Sequence, residues 1–180
     1  MERFLDSARL KSLFADLLSL STMTVATSGS DGEAHAADVY FASDEQLSLY
    51  FFSDSNSQHG VDIRRDPRAA ITIHAGQGGW EQILGLQMRG VINAISSQAL
   101  WQQAWDVYRV KFPFVSELED VVVINQLYGF NPDWMRWVDN SQGFGFNQEW
   151  KFENPERDGA PGRVWQQING QSKGTRKANG

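Results

Sequence analysis

The stretch Ser53-Asp54-Ser55-Asn56-Ser57-Gln58-His59-Gly60 holds the densest set of groups able to meet a ligand. Hydroxyls, amides and an imidazole follow the apolar run Leu49–Ser53 and precede Arg64 and Arg65. A helix that starts here offers free backbone N–H groups, which together with nearby hydroxyls can surround an anion such as a phosphate. The same residues also read as a solvated strand-to-helix connection capped by Ser57, with Arg64 and Arg65 neutralised by Asp62 and Asp66. A second group is DNSQGFG, Asp139 to Gly145. Glycines on both sides of Phe144 let backbone approach a flat ligand closely, or simply make a loop that leaves the last strand. The three histidines, His35, His59 and His74, lack the spacing of a metal site. No P-loop, G-x-S-x-G elbow, H-E-x-x-H or EF-hand loop is present. The GQGG at 76–79 is too flexible and wrongly placed for a dinucleotide fingerprint, which needs a strand before it and a helix immediately after.

These groups need elements to hold them. Phe4, Leu5, Ala8, Leu13, Phe14, Leu17 and Leu18 keep helical spacing and predict an opening helix. Strands are predicted over 22–28, 34–42, 46–53 and 69–75, with a turn at Ser28–Gly32 and a short helix over 56–66 stopped by Pro67. An extended run covers 80–95. A helix capped by Ser96 or Ser97 then runs to about 111, with Leu100, Trp101, Ala104, Val107 and Tyr108 on one face. Two more strands, 121–130 and 134–139, are joined by a turn at Asn131-Pro132-Asp133. Six or seven short strands broken by two or three helices suggest a closed or partly closed antiparallel barrel.

Composition bounds the chemistry. The 180 residues suit one domain able to bury a core unaided. With no cysteine, the chain has no disulfide, thiolate metal site or cysteine nucleophile. The net charge of −6 argues against nucleic acid as the main partner. No window is apolar enough for a membrane span, and the charged first 20 residues do not read as a secretory signal, so a cytoplasmic protein is expected. Residues 154–180 carry five basic residues against two acids, +3, leaving −9 for residues 1–153. They are also glycine-rich and poor in apolar anchors beyond Val164, Trp165 and Ile168, which predicts a flexible basic tail, with Trp165 as its candidate docking point, after a domain spanning 1–153. Six of the seven tryptophans follow residue 100. Trp134, Trp137 and Trp150 crowd a region that one small barrel would struggle to cover, which points to an interface; core filling is the alternative for Trp101, Trp105 and Trp137.

Five segments in order carry a resemblance: TMTVATSGSDGEAHAADVYF (22–41), LYFFSDSNSQHGVDIRRDPRAAITI (49–73), ILGLQMRGVI (83–92), VYRVKFP (107–113) and MRWVDNSQGFG (135–145). Together they resemble the pyridoxamine 5′-phosphate oxidase-like, FMN-binding split-barrel family, in a branch without the oxidase substrate signature. The resemblance implies a mainly β fold with helices (α+β): a six-stranded antiparallel split β-barrel of Greek-key type that forms a homodimer with FMN at the interface. It implies that Asp38, Val39 and Tyr40 lie along the flavin, that Phe52 and Ser53 meet ring or ribityl atoms, and that Ser57, Gln58 and His59 face the phosphate. Gln58 and His59 stand where the oxidases present an Arg-Lys pair, so FMN binding is expected to be weaker unless Arg64, Arg65 or Arg68 compensates. Asn140 and Phe144 are implied on the cofactor and Arg136 on the substrate side. The Arg-x-His pair that holds pyridoxamine phosphate is missing, since this end of the barrel reads Arg136-Trp137-Val138.

The implied activity is therefore an FMN-dependent oxidoreductase acting on a small molecule other than pyridoxamine phosphate, with hydride passing through the flavin and NADH or NADPH as a possible donor. The alternatives are a non-catalytic flavin- or haem-binding protein, with His74 as a candidate ligand, and an interaction module without cofactor.

Overall fold

The computed structural model describes residues 4–75, 78–153 and 163–170. Ten strands form one antiparallel sheet: β1 (Phe4–Asp6), β2 (Thr22–Ser28), β3 (Ala34–Tyr40), β4 (Ala42–Ser43), β5 (Leu49–Ser53), β6 (Arg68–Ala75), β7 (Leu84–Ala94), β8 (Gln126–Asp139), β9 (Asn147–Glu153) and β10 (Val164–Gly170). Five helices accompany them: α1 (Ser7–Leu13), α2 (Ala15–Leu18), α3 (Gln58–Arg65), α4 (Gln98–Lys111) and α5 (Glu119–Val122). The fold is mainly antiparallel β with helices.

Six strands, in the order β3-β2-β6-β7-β8-β5, wrap into the barrel. Strand β3 lies beside β5 without ladder pairing, which is the split. Alternation sets which side chains fill the interior: Met23 and Val25 of β2, Ile71 and Ile73 of β6, and Leu86 and Met88 of β7 are buried, while their neighbours face outward. Leu10, Phe14 and Leu17 from α1, α2 and their junction join the same core, which explains the opening pattern. The predicted single helix is interrupted. Residues 4–6 pair as β1 with β10, and Asp6 caps α1 by accepting the Arg9 N–H at 2.8 Å.

Strands β1, β4, β9 and β10 extend the sheet beyond the six of the barrel. Two predictions fail for identifiable reasons. The sequence Asn131-Pro132-Asp133 does not reverse the chain; β8 runs straight through it, with a register shift opposite Arg89 and Gly90. A side chain at Gly90 would place its Cβ 2.1 Å from the Asn131 carbonyl oxygen, so glycine lets the strands close over a proline-bearing bulge. The strand predicted over 121–130 starts later, since Glu119–Val122 is helical and β8 begins at Gln126.

The tail boundary also moves. Residues 164–170 pair with β9 and β1, and Trp165 is fully buried, its Nε1–H donating to Ser7 Oγ at 3.2 Å. Residues 154–162 and 171–180 of the predicted tail lie outside the described residues. Trp150 and Trp137 fill the core, with Trp150 edge-on to Phe14 at 5.6 Å, so neither is available for an interface. Trp134 remains half-buried on the outer sheet face. Among the described residues no helix is long and apolar enough to cross a membrane.

Candidate functional site

The end of β5 and the start of α3 form a compact polar cluster. Ser57 is the N-cap of α3: its Oγ accepts the Gly60 N–H at 3.2 Å and donates to the Asp54 carbonyl at 2.6 Å. Gly60 permits this tight start, since a Cβ there would lie 2.6 Å from the Ser55 carbonyl oxygen. His59 Nε2 sits between two hydroxyls, 2.6 Å from Ser53 Oγ and 3.1 Å from Ser57 Oγ. Burial lowers the imidazole pKa, and the Asp62 carboxylate only partly opposes it. His59 is therefore neutral at pH 7. The amides of Gln58 and His59 have no acceptor among the described residues, as expected for a first helical turn.

Below this cluster lies Asp62, 2% exposed. It accepts hydrogen bonds from Thr27 Oγ1 (2.8 Å) and Gln58 Nε2 (2.9 Å), and lies 2.9 Å from His35 Nδ1. Burial raises its pKa, but the three hydrogen bonds and the His35 charge outweigh it and hold the carboxyl below the usual range. Gln58 is thus committed to a buried acid rather than directed outward. Sequence reasoning missed this network; its one local signal is the i, i+4 spacing of Gln58 and Asp62 on a helix.

The arginines do not pair as the sequence suggested. Arg68 holds Asp66 at 2.6 Å, while Arg64 and Arg65 donate to the carbonyls of Ser55 and Ser28. Only Arg64 lies against the 53–57 loop. The cluster therefore offers hydroxyls, an imidazole and free amides, with one cation at its edge.

Of the β3 residues, Val39 points into the core, Asp38 accepts from Thr24 Oγ1 at 2.5 Å on the outer face, and Tyr40 is half-exposed against Phe112 at 5.5 Å. Phe52 lies edge-on to Tyr108 at 5.2 Å and to Trp105 at 5.7 Å on α4. The Tyr108 hydroxyl reaches toward the Tyr40 carbonyl at 3.5 Å, joining the ends of β3 and β5 beneath α4. Helix α3 packs on β2 and β3 and meets His35 near the start of β3 through Asp62, while Tyr40 ends that strand.

Arg136, Asn140 and Phe144 lie elsewhere. Ser53 pairs with Gln126 at the start of β8, whereas Asn140 follows its end. The 14 residues of β8 span about 45 Å. One chain therefore does not bring the two groups together. Asn140 is buried and donates to the Trp80 carbonyl at 2.9 Å while accepting the Gly145 N–H at 3.1 Å, so it clamps its own loop. Phe144 is 78% exposed between Gly143 and Gly145, both at positive φ, with its ring edge-on to Trp80 at 5.5 Å. Arg136 lies 3.6 Å from Glu149, and its buried Nε makes no hydrogen bond. His74 lines a cleft of about 230 Å³ at this same end, below the usual size of a ligand pocket of about 300 Å³ or more.

The fold is shared with solved proteins. The Mycobacterium tuberculosis protein Rv2991 matches with a TM-score of 0.62 at 18% identity, covering 72% of this chain and 84% of that one. A haem-binding protein from Mycobacterium smegmatis matches at 0.63 and 18%, covering 81% of this chain; this chain spans 57% of its length. HutZ, a haem storage protein of Vibrio cholerae, matches at 0.58 and 14%, covering 71% of this chain and 91% of that one. At these identities the likeness is one of fold. No curated protein matches in sequence. The family model described as pyridoxamine 5′-phosphate oxidase matches residues 11–126, and the chain belongs to that family. The match takes in β2 through α4 and the polar cluster, and stops before the loop that carries Asn140 and Phe144.

Proposed function

We propose that this chain is an FMN-binding oxidoreductase that acts as a homodimer on a small molecule other than pyridoxamine phosphate. The observation that carries the reading is the cluster at the start of α3, where Ser53, Ser57, His59 and two unpartnered amides gather beside the β3–β5 split. These donors suit a phosphate, but the charge there is thin. His59 is neutral, Gln58 is held by Asp62, and Arg64 is the nearest cation. FMN binding weaker than that of an Arg-Lys cradle follows.

Bound FMN would supply the hydride chemistry. The chain's residues would do the rest. Amides and hydroxyls at Ser53 to His59 orient the phosphate, and Tyr40 and Phe52 flank the ring edge, held by Tyr108. No side chain here is required as a covalent nucleophile. The Phe144 loop, at the far end of β8, reaches the same cofactor only from a second copy. The outer face of β2, β6, β7 and β8 suits such a contact: Ala26, Ala70, Thr72 and Trp134 line an open cleft of about 500 Å³ there.

A second reading has one observation in its favour. Solved proteins of the same fold include a haem-binding protein from Mycobacterium smegmatis and a haem storage protein of Vibrio cholerae, which supports haem as the alternative ligand. The absorption spectrum of the purified chain separates the two readings. Paired flavin bands, or saturable quenching of added FMN fluorescence, support the first, and a Soret band supports the second. A colourless protein that leaves FMN fluorescence unchanged contradicts both. Anaerobic bleaching of bound flavin by NADH or NADPH then tests turnover.

A further inference from the structure

The acid beneath the α3 cluster carries a charge with no permanent counter-charge. Asp62 is buried and its carboxyl is held below the usual range. Among the described residues no lysine or arginine lies within ion-pair distance of it, and its one ionisable partner is His35. Arg64 and Arg65, on the same helix, turn instead to the carbonyls of Ser55 and Ser28. Asp62 follows Gln58 by one helical turn, about 6 Å along the axis. The amide of Gln58 is one of the two free donors of the cluster. The field of the carboxylate reaches that cluster, since it acts on the His59 imidazole.

The two carboxylate oxygens have separate partners. Oδ1 accepts from Gln58 Nε2 at 2.9 Å, on the first turn of α3. Oδ2 accepts the Thr27 hydroxyl of β2 at 2.8 Å and lies 2.9 Å from His35 Nδ1 of β3. Together they tie the start of α3 to the β2–β3 hairpin. That tie needs polar atoms and no charge. A carboxamide in the same place keeps an oxygen for Gln58, and its Nδ2 can donate to the Thr27 hydroxyl and to the lone pair of a His35 ring nitrogen. The charge of Asp62 is therefore surplus to the positioning, and it acts on whatever anion the amides hold.

We propose that Asp62 is a positioning and specificity-determining residue of the cofactor site, which orients the first turn of α3 through Gln58 and by its charge holds down the affinity for the flavin's phosphate. The assignment rests on the FMN reading. A doubly charged phosphate at the cluster meets one cation at its edge, Arg64, and one buried anion behind it, Asp62. In a partly buried site of low effective dielectric such a repulsion lowers affinity about tenfold or more. Riboflavin, which lacks the phosphate, does not feel it.

The test titrates FMN and riboflavin into the full chain by flavin fluorescence, for the wild type, Asp62→Asn and Thr27→Val. Asp62→Asn should bind FMN about tenfold more tightly and riboflavin within about twofold of the wild type. Thr27→Val removes a hydrogen bond from the same carboxylate and no charge. It should lower the melting temperature and leave the ratio of FMN to riboflavin affinity unchanged. FMN affinity in Asp62→Asn equal to or weaker than wild type, an equal gain for riboflavin, or the same change of ratio in Thr27→Val would each overturn the assignment while the FMN reading stands. An Asp62→Asn chain that does not fold would overturn it too, because the charge would then be part of the tie. Failure of the wild type and Asp62→Asn alike to bind FMN would overturn the FMN reading and this assignment with it.

Discussion

The two ends of β8 carry similar residue types and differ in what satisfies them. At the α3 end, serines, a neutral histidine and two helix amides keep hydrogen-bonding capacity in hand. At the other end, Asn140 uses both ends of its amide on Trp80 and Gly145, and Asp139 accepts from Ser141 and Gln142. Polar residues in a glycine-containing loop mark a ligand site only when their partners lie outside the chain. By that criterion the α3 end is the end proposed to bind the cofactor. The Asn140 loop is a preformed support whose exposed part is Phe144.

Substitutions at the two ends should separate stability from binding. The largest effect is expected beneath the cluster. Asp62→Ala strands Thr27, His35 and Gln58 in a buried site and should cost about 3 kcal/mol in urea unfolding. A loss below 1 kcal/mol would show that α3 is not anchored there. The pH dependence has a defined sign. The folded carboxyl is held below its unfolded pKa, so its stabilisation is complete above that unfolded value. It is lost as pH falls through the lower folded value. Asp62→Asn should therefore flatten the acid limb of the urea midpoint below about pH 4; an unchanged limb would remove Asp62 as its cause.

Asn140→Ala should cost about 2 kcal/mol through two lost hydrogen bonds. If it instead weakens FMN while leaving stability alone, Asn140 is a ligand contact and not a clamp. His59→Ala should act the other way, weakening FMN about tenfold and riboflavin far less, with little change in melting temperature. Equal losses for both ligands would remove His59 from the phosphate site. The smallest effect is expected from His74→Ala, which should leave cofactor binding unchanged; loss of a Soret band in that variant would move haem to β6.

The barrel was legible because β2, β6 and β7 alternate apolar and polar residues, and the α3 cap was legible because serine precedes a helical run by the right interval. What escaped depended on distant partners. Asn131-Pro132-Asp133 has turn chemistry, but Gly90 on the neighbouring strand turns it into a bulge. Val164 to Gly170 looks unable to fold alone, and its strand forms because β9 and β1 pair with it and Trp165 enters the core. The burial of Asp62 depends on Thr27 and His35, which lie far from it in sequence. Arg163 sits inside a glycine-rich basic stretch, and only the fold brings it to Asn131.

The central claim is that one FMN is held by the α3 cluster of one copy and the Phe144 loop of another. Co-expression tests it directly. His59→Ala and Phe144→Ala, each weak in FMN binding alone, are produced together and titrated by flavin fluorescence. Mixed dimers should regain intact sites that neither variant has by itself, and binding should exceed that of both. Binding no better than the average of the two separate variants would contradict a site shared between copies.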